Sequence, residues 1–275
     1  MPTAVEVTLG LSEPKRAVLN GAALRSAEHL RGELTTLVFT PDRLAVVKSG
    51  PAARRAYFDR TLGRVLPARS DLPLRYAAAV GQRNAALRRL AAGLSTPDSL
   101  EPWTLQVAEL GAELVTARRE VIEQLLPAFE EHAAELGLEA AELRYDGDPP
   151  AVADLEARLE RDLERATTGL GPHLHDVGML AGSRDLRTFG SQGEQRTAVL
   201  ALLLAEGSLL AERHGDAPLL LLDDALSELD ADRRRRLSRR LGVAGQTVIT
   251  ATGAEALPLA PAQLVRVTPG HARSA

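Results

Sequence analysis

An α/β body interrupted by a helical lobe is the fold class that this sequence predicts. Three observations carry the expectation. Strand-like runs occur near both ends of the chain, helical periodicity fills the middle, and four consecutive leucines late in the chain end in two aspartates. The division expected from this is a first strand-bearing part of one lobe over 1–48, a helical second lobe over 49–169, and the closing strands of the first lobe over 170–275.

Taken in order, Val5, Val7 and Leu9 alternate with Glu6 and Thr8, and Asn20–Gly21 is a tight-turn signal. Residues 34–39 form a second strand candidate, stopped by Pro41. Ser49-Gly50-Pro51 then starts a helix, with proline in the first turn, where its missing N–H costs nothing. Helices are expected over 51–65, 72–92 and 103–137, and Pro127 is expected to kink or divide the last. Over 151–169 the residues Val152, Leu155, Leu159 and Leu163 share one helical face and charges fill the other, which suits an exposed arm-like hairpin. Residues 169–193 read as glycine-rich loop and 198–212 as helix. Beyond them come a buried strand over 219–222, a helix over 231–241, and strands over 247–251 and 264–267.

Composition narrows the classes. The 275 residues are 45% apolar and 25% charged, as in an ordinary globular protein. With no cysteine, disulfides and thiolate metal sites are excluded. No signal-peptide pattern opens the chain and no apolar run is long enough to span a bilayer, so a cytoplasmic location and no membrane partner are expected. The net charge of −4 argues against wholesale electrostatic binding of nucleic acid. Its distribution is uneven: residues 51–100 hold nine arginines against three aspartates, whereas residues 101–165 hold seventeen acids against six arginines. The split can give one part of the fold a basic face, or both stretches can be solvated helix faces. Aromatics are 3% of the chain, too few for a base-stacking platform, and Trp103 is expected in the core.

The most informative stretch runs from Ala217 to Asp230. Four leucines and then Asp223 and Asp224 describe a buried parallel strand ending in carboxylates, and ligands of open α/β sheets sit at such ends. One acid there can hold the magnesium shell of a nucleoside triphosphate, and a second can orient or activate the attacking water. Asp223 is therefore the candidate metal residue and Asp224 the candidate catalytic base, as in a Walker B strand. A core strand ending in two turn-forming aspartates gives the same pattern. The continuation Ser227-Glu-Leu-Asp230 adds weight, because it resembles a D-loop. In Phe189-Gly-Ser-Gln-Gly-Glu-Gln-Arg196, Ser191 is placed as a helix N-cap and Gly193 permits close backbone approach, so the helix start can face an anion. Alone this is only a capped helix. Together the set resembles the signature, Walker B and D-loop of ABC-type ATPases.

A narrower resemblance covers nearly the whole chain. Residues 39–44 (FTPDRL), 49–59 (SGPAARRAYFD), 82–87 (QRNAAL), 171–173 (GPH), the signature, the LLLLDDALSELD run and 246–250 (QTVIT) stand in the order of the RecF family's motifs. The resemblance implies an ABC-type head with a P-loop NTPase-like sheet, ATP and Mg²⁺ as cofactors, and an ATP-dependent homodimer. In it Ser191, Gln192 and Gly193 of one subunit would meet nucleotide held by the other, and Ser227 and Asp230 would report nucleotide state across the interface. It further implies DNA binding, RecR- and RecO-type mediators as partners, and roles in recombinational repair, replication-fork recovery and the SOS response. Contact with DNA is expected to be dominated by phosphate, with Arg54, Arg55 and Arg83 as candidates.

Two departures from the family pattern stand out. No G-x-x-x-x-G-K-[ST] loop occurs, and the two lysines, Lys15 and Lys48, lie in no such loop. A fragment or late start is the favoured expectation over a degenerate head, with the absent strand lying beside the four-leucine strand. Leu174 and His175 stand where the family has Arg and Asp, which leaves His173, His175 and Asp176 open to a metal-ligand reading as well as a structural one. Arg233–Arg236 reads as a solvated helix face, with Arg233 able to reach a dimer interface. The rival functions are a truncated or degenerate, non-hydrolysing module that binds DNA or a partner, and an SMC-like structural ATPase. The latter is disfavoured because residues 103–169 leave room for only a short helical arm.

Overall fold

A computed structural model describes residues 4–8, 16–24, 34–241, 245–253 and 261–274. Strands β1 (Val5–Thr8), β2 (Arg16–Leu19) and β3 (Ala22–Ala23) form a small antiparallel sheet. Asn20 and Gly21 turn β2 into β3 with φ of 49° and 84°, the left-handed pair that a two-residue hairpin with the right twist requires. Leu9, expected in the first strand, lies outside the described residues. β4 (Thr36–Phe39) leaves this sheet for a different one. It leads into a short helix, α1 (Ala45–Lys48), and then α2 (Pro51–Val65), which begins at the proline as expected.

Helices α3 (Leu72–Ala91) and α4 (Glu101–Glu135) follow. Pro127 does not divide α4. It sits on the solvent side, where water can reach the carbonyl it orphans, while Leu125 and Phe129 on the opposite side are wholly buried. Next come β5 (Ala141–Asp146), α5 (Val152–Ala157) and α6 (Leu159–Arg165). The single helix and exposed arm expected over 151–169 are corrected. The chain breaks at Arg158 between α5 and α6, and α6 ends on Ala166 in a left-handed conformation with φ of 51°. Leu155 and Asp162 are buried because this segment folds back onto α3 and α4.

β6 (Asp176–Ala181), β7 (Arg184–Asp185) and α7 (Leu186–Phe189) replace the loop expected over 169–193. β5 pairs antiparallel with β6 along its length, from Ala141 opposite Ala181 to Asp146 opposite Asp176. The second lobe is thus not purely helical, and the division at 169/170 cuts through a sheet. Its strand alternation was hidden in an acid-rich stretch whose helical neighbours dominate the pattern.

α8 (Gln192–His214) runs behind the parallel sheet, where every residue from Ala198 to Ala205 is buried. A helix apolar all round is a helix covered all round, and α8 lies between α4 on one side and β4 on the other. Glu206 is fully buried on this helix and is matched by Arg64 at 2.6 Å and the Tyr57 hydroxyl at 2.9 Å. Burial and that carboxylate push the Tyr57 phenol well above its ordinary pKa. β8 (Leu219–Asp223), α9 (Ala231–Leu241) and β9 (Thr247–Thr250) complete the parallel layer, and β10 (Val265–Thr268) with β11 (His271–Ser274) makes a separate hairpin.

The parallel sheet has the order β4-β8-β9. The expectation that an absent strand flanks the four-leucine strand is corrected: β8 has partners on both sides, with Leu222 opposite Phe39 on β4 and Ile249 on β9. Leu220 and Leu222 point into the core that includes Leu37, Phe39, Phe58, Leu114, Leu125 and Phe129.

Candidate functional site

The central strand delivers Asp223 and Asp224 to the carboxyl edge of the parallel sheet. Asp223 is the last residue of β8, opposite Thr250, the last of β9, and its side chain is exposed. The Thr250 hydroxyl donates to one Asp223 carboxylate oxygen and accepts the Asp224 backbone N–H at 3.1 Å. One hydroxyl therefore orients both acids. Thr250 belongs to the QTVIT motif, and strand register, which the sequence does not disclose, brings it to the site.

Asp224 is left-handed, with φ of 50°, and Glu228 follows at 61°. Such a conformation costs an L-residue about 1–2 kcal/mol, so it persists only where neighbours enforce it. Arg196 is the main enforcer. It projects from the second turn of α8, is 3% exposed, donates from Nη1 to the Asp224 carbonyl at 2.6 Å, and donates from Nη2 to the Glu228 carboxylate at 3.2 Å. Its guanidinium lies 5.7 Å from the Phe39 ring centre, so β4 supplies the platform. The Ser227 hydroxyl donates to the same Asp224 carbonyl at 3.0 Å. In the sequence Arg196 is simply the last residue of the signature motif. An arginine opening an otherwise apolar helix was the available signal, because such a charge needs a buried partner.

The signature end of α8 is built as expected. Ser191 Oγ accepts the Glu194 N–H at 3.2 Å, and the Glu194 carboxylate accepts the Ser191 N–H at 2.8 Å, a reciprocal capping box. The Ser191 N–H bond, with Arg184 at 2.9 Å from the other oxygen, pulls the Glu194 carboxyl down to about 2. Ser191 and Gln192 are exposed and Gly193 is half-buried. Gly193 leaves room for Arg233: a β-carbon there would come within 3.0 Å of the Arg233 guanidinium. Arg233 is in turn tied to Asp230, whose carboxylate accepts the Arg233 N–H at 2.8 Å and caps α9. Ser191, Gln192 and Gly193 thus adjoin Asp230 through Arg233, while Asp223, Asp224 and Ser227 are joined to the same helix through Arg196.

Two of the three expected DNA contacts lie away from any surface. Arg83 is fully buried and donates to Asp162 at 2.7 Å, Thr168 at 2.9 Å and Thr104 at 3.2 Å. Arg54 is 4% exposed, makes a two-pronged contact to Asp176 at 2.6 and 2.7 Å, and donates to the Ser49 carbonyl at 2.9 Å. Both are corrected from phosphate contacts to interior struts, since neither guanidinium has a donor left facing solvent. Arg55 is half-buried, donates to the His175 carbonyl at 2.7 Å, and has its pKa lowered first by burial and then by the nearby Arg118 charge.

The metal-ligand reading of His173, His175 and Asp176 fails on the same grounds. His173 bonds the Tyr76 hydroxyl at 2.7 Å and the Thr168 carbonyl at 3.0 Å, His175 bonds the Tyr145 hydroxyl at 2.9 Å, and Asp176 is occupied by Arg54. Among the described residues no group of three or more His, Asp or Glu is arranged to hold a metal. Burial lowers the pKa of both imidazoles, which suits neutral rings serving as structural hydrogen-bond partners.

Comparison with known proteins gives this architecture a family. No family model matches the chain. It is similar to the DNA replication and repair protein RecF of Heliobacterium modesticaldum, at 36% identity over 279 residues, covering 96% of this chain and 74% of that relative. RecF of Symbiobacterium thermophilum is 38% identical over 272 residues, covering 92% and 71%. A solved structure of the recombination mediator protein RecF with ATP, in the RecFOR pathway, superposes with a TM-score of 0.79 at 26% identity, over 99% of this chain and 76% of that one. An Smc head bound to the C-winged helix domain of ScpA shares the fold alone, with a TM-score of 0.52 at 13% identity. The fold is an α/β ABC-type ATPase head. The likeness to curated relatives extends over more than nine-tenths of the sequence and includes the carboxylate-ended strand and the capped helix, and the chain therefore belongs to the RecF family of DNA replication and repair proteins.

Proposed function

We propose that this RecF-type chain supplies two parts of a shared ATP site, the acid end at Asp223 and Asp224 and the signature end at Ser191, Gln192 and Gly193, in an ATP-dependent dimer that acts on DNA. One observation carries the proposal. The two aspartates stand at the carboxyl edge of the central parallel strand, and Arg196 ties the Asp224 backbone to the helix that begins at Ser191. Solved neighbours are described as RecF with ATP, which supports nucleotide as the ligand.

The donor set fits magnesium in a limited way. Two carboxylates without a third ligand group match an ion that takes one or two acids and completes its shell with phosphate oxygens and water. When bound, it neutralises charge on the phosphates. Asp223 would hold it, with Thr250 fixing the carboxylate. Asp224 would accept a proton from, or orient, the attacking water, a role worth roughly 10²–10⁴ in rate. The free N–H groups at the start of α8, with the Ser191 hydroxyl, would receive phosphate oxygens of nucleotide held by the second subunit. Ser227 and Asp230 would transmit nucleotide state between subunits, through Asp224 and Arg233 respectively. A phosphate loop is not among these 275 residues, so the proposal concerns the acid and signature ends only. DNA and RecR- and RecO-type mediators are the partners this reading requires, with Arg55 the remaining candidate from the original phosphate-contact set. Neighbours described as mediators in the RecFOR pathway support it.

Sedimentation of the chain mixed with a RecF relative that carries a phosphate loop, with and without magnesium ATP, tests the signature end of the shared site. A nucleotide-dependent mixed dimer is expected, and Ser191→Arg in this chain should abolish it. A mass unchanged by nucleotide, or a dimer indifferent to Ser191→Arg, would overturn the reading.

A further inference from the structure

Helix α9 carries six arginines in its 11 residues. Leu237 and Leu241 face the core, so at 100° per residue Arg235 and Arg239 lie on the outer side and Arg236 and Arg240 along one flank. One acid on the helix, Asp232, is divided between Arg235 at 3.3 Å and Arg236 at 2.6 Å. Arg239 makes no ion pair among the described residues. Where α9 meets the end of α4, a groove of about 300 Å³ is lined by Glu135, Arg236, Arg239 and Arg240. Three guanidiniums there face one carboxylate.

Arg240 has a second side. It also walls a neighbouring cavity of about 130 Å³, lined by Leu204, Gly207, Ala211, Pro218 and Leu220. His132 holds it in that position. Burial, and then the Arg240 charge, lower the His132 pKa, so the neutral ring accepts from Arg240 at 3.3 Å while bonded to Ser208 at 3.0 Å. The Arg240 Nε is buried and lies 3.7 Å from the Glu135 carboxylate, an ion pair too long for a hydrogen bond. An apolar cavity of roughly 150 Å³ is large enough for a benzene-sized group. The cavity therefore suits one aliphatic or aromatic side chain, and the groove beside it suits carboxylates.

A DNA phosphate matches the groove but leaves the apolar cavity unused. A peptide that sets an apolar side chain beside acids uses both. We propose that this corner, formed by α8, α9, the end of α4 and the start of β8, docks an acidic peptide segment of a partner protein, with one apolar side chain in the cavity and its carboxylates on Arg236, Arg239 and Arg240. The interaction is separate from the nucleotide site and does not depend on it.

Fluorescence anisotropy on the full chain tests this, using a labelled peptide Asp-Glu-Asp-Asp-Leu-Phe. Two controls replace Leu-Phe by Ser-Ser and the acids by lysines, and a labelled DNA duplex represents the rival ligand. The acidic–apolar peptide should bind at least about tenfold more tightly than either control. The double variant Arg236→Ser with Arg239→Ser, the first half-buried and the second exposed, and the cavity-filling Ala211→Leu should each weaken it by about tenfold with unchanged thermal melting. The proposal is overturned if the peptide does not bind, or if the Ser-Ser control binds equally well. It is also overturned if duplex DNA displaces the peptide and loses affinity in the arginine variant but not in Ala211→Leu, which would make the corner a phosphate surface. Should Ala211→Leu fail to fold, the arginine variant and the peptide controls still decide.

Discussion

The arginines of α2 and α3 and those of α9 look alike in the sequence and do opposite things in the structure. Arg54 and Arg83 come from the stretch richest in unmatched arginine, yet each is buried and saturated by acids distant in sequence, Asp176 and Asp162. Arg235 belongs to the Arg233–Arg236 run that reads as an ordinary solvated face, and it stands exposed, as does Arg239 on the same helix beside a groove. Local charge balance counts neighbours along the chain, whereas a guanidinium answers to neighbours in space. The acids that neutralise Arg54 and Arg83 lie 122 and 79 residues away. The lesson is that a basic stretch marks a binding face only where tertiary contacts leave it unspent.

Stability measurements can break this contrast. The largest effect is expected at the buried pair. Arg83→Met leaves Asp162 charged and enclosed, which should cost about 3–5 kcal/mol in chemical denaturation, and adding Asp162→Leu should restore much of the loss because the stranded charge goes with it. A loss under about 1 kcal/mol for Arg83→Met alone would mean that Asp162 reaches water and that the two arginine classes are not distinct.

The cap of α8 is the intermediate case, since Arg184 is half-exposed and shares Glu194 with the Ser191 N–H. Ser191→Ala should cost about 1 kcal/mol. Glu194, held at about 2 against an ordinary 4.5, binds its proton less readily folded than unfolded. Its contribution is therefore complete above pH 4.5 and disappears as pH falls towards 2. Acid titration of the melting temperature should show that loss, and Glu194→Gln should flatten the curve in that window. The smallest effect is expected at Arg239→Ser, within about 0.5 kcal/mol of the parent, as for any exposed side chain without a partner. A larger change would show that α9 spends its arginines on the fold after all.

Much of the fold was legible. Proline after glycine at 50–51 started α2 where expected, the Asn20–Gly21 pair closed its hairpin, and the four-leucine strand became the middle of the parallel sheet. These are local signals: a fixed φ, a left-handed turn, and a run too apolar for any exposed position. The N-cap at Ser191 was equally legible, because the N–H it accepts lies only three residues on. What escaped was non-local. β5 was missed because its pairing partner β6 lies beyond two helices, and the continuity of α4 through Pro127 depends on packing that puts the proline on the solvent side. Thr250 and Arg196 escaped for the same reason: one reaches Asp223 across a strand register and the other reaches Asp224 from 28 residues upstream.

By itself the sequence determined the elements on either side of residues 141–189, the family and the aspartate and serine positions that the proposed site requires, since each depends on residue type and short spacing. The tertiary structure alone decided which charges are available. A carboxylate or guanidinium is free to bind only if no distant segment has already neutralised it, and that is a property of the folded chain's pairings rather than of any stretch within it.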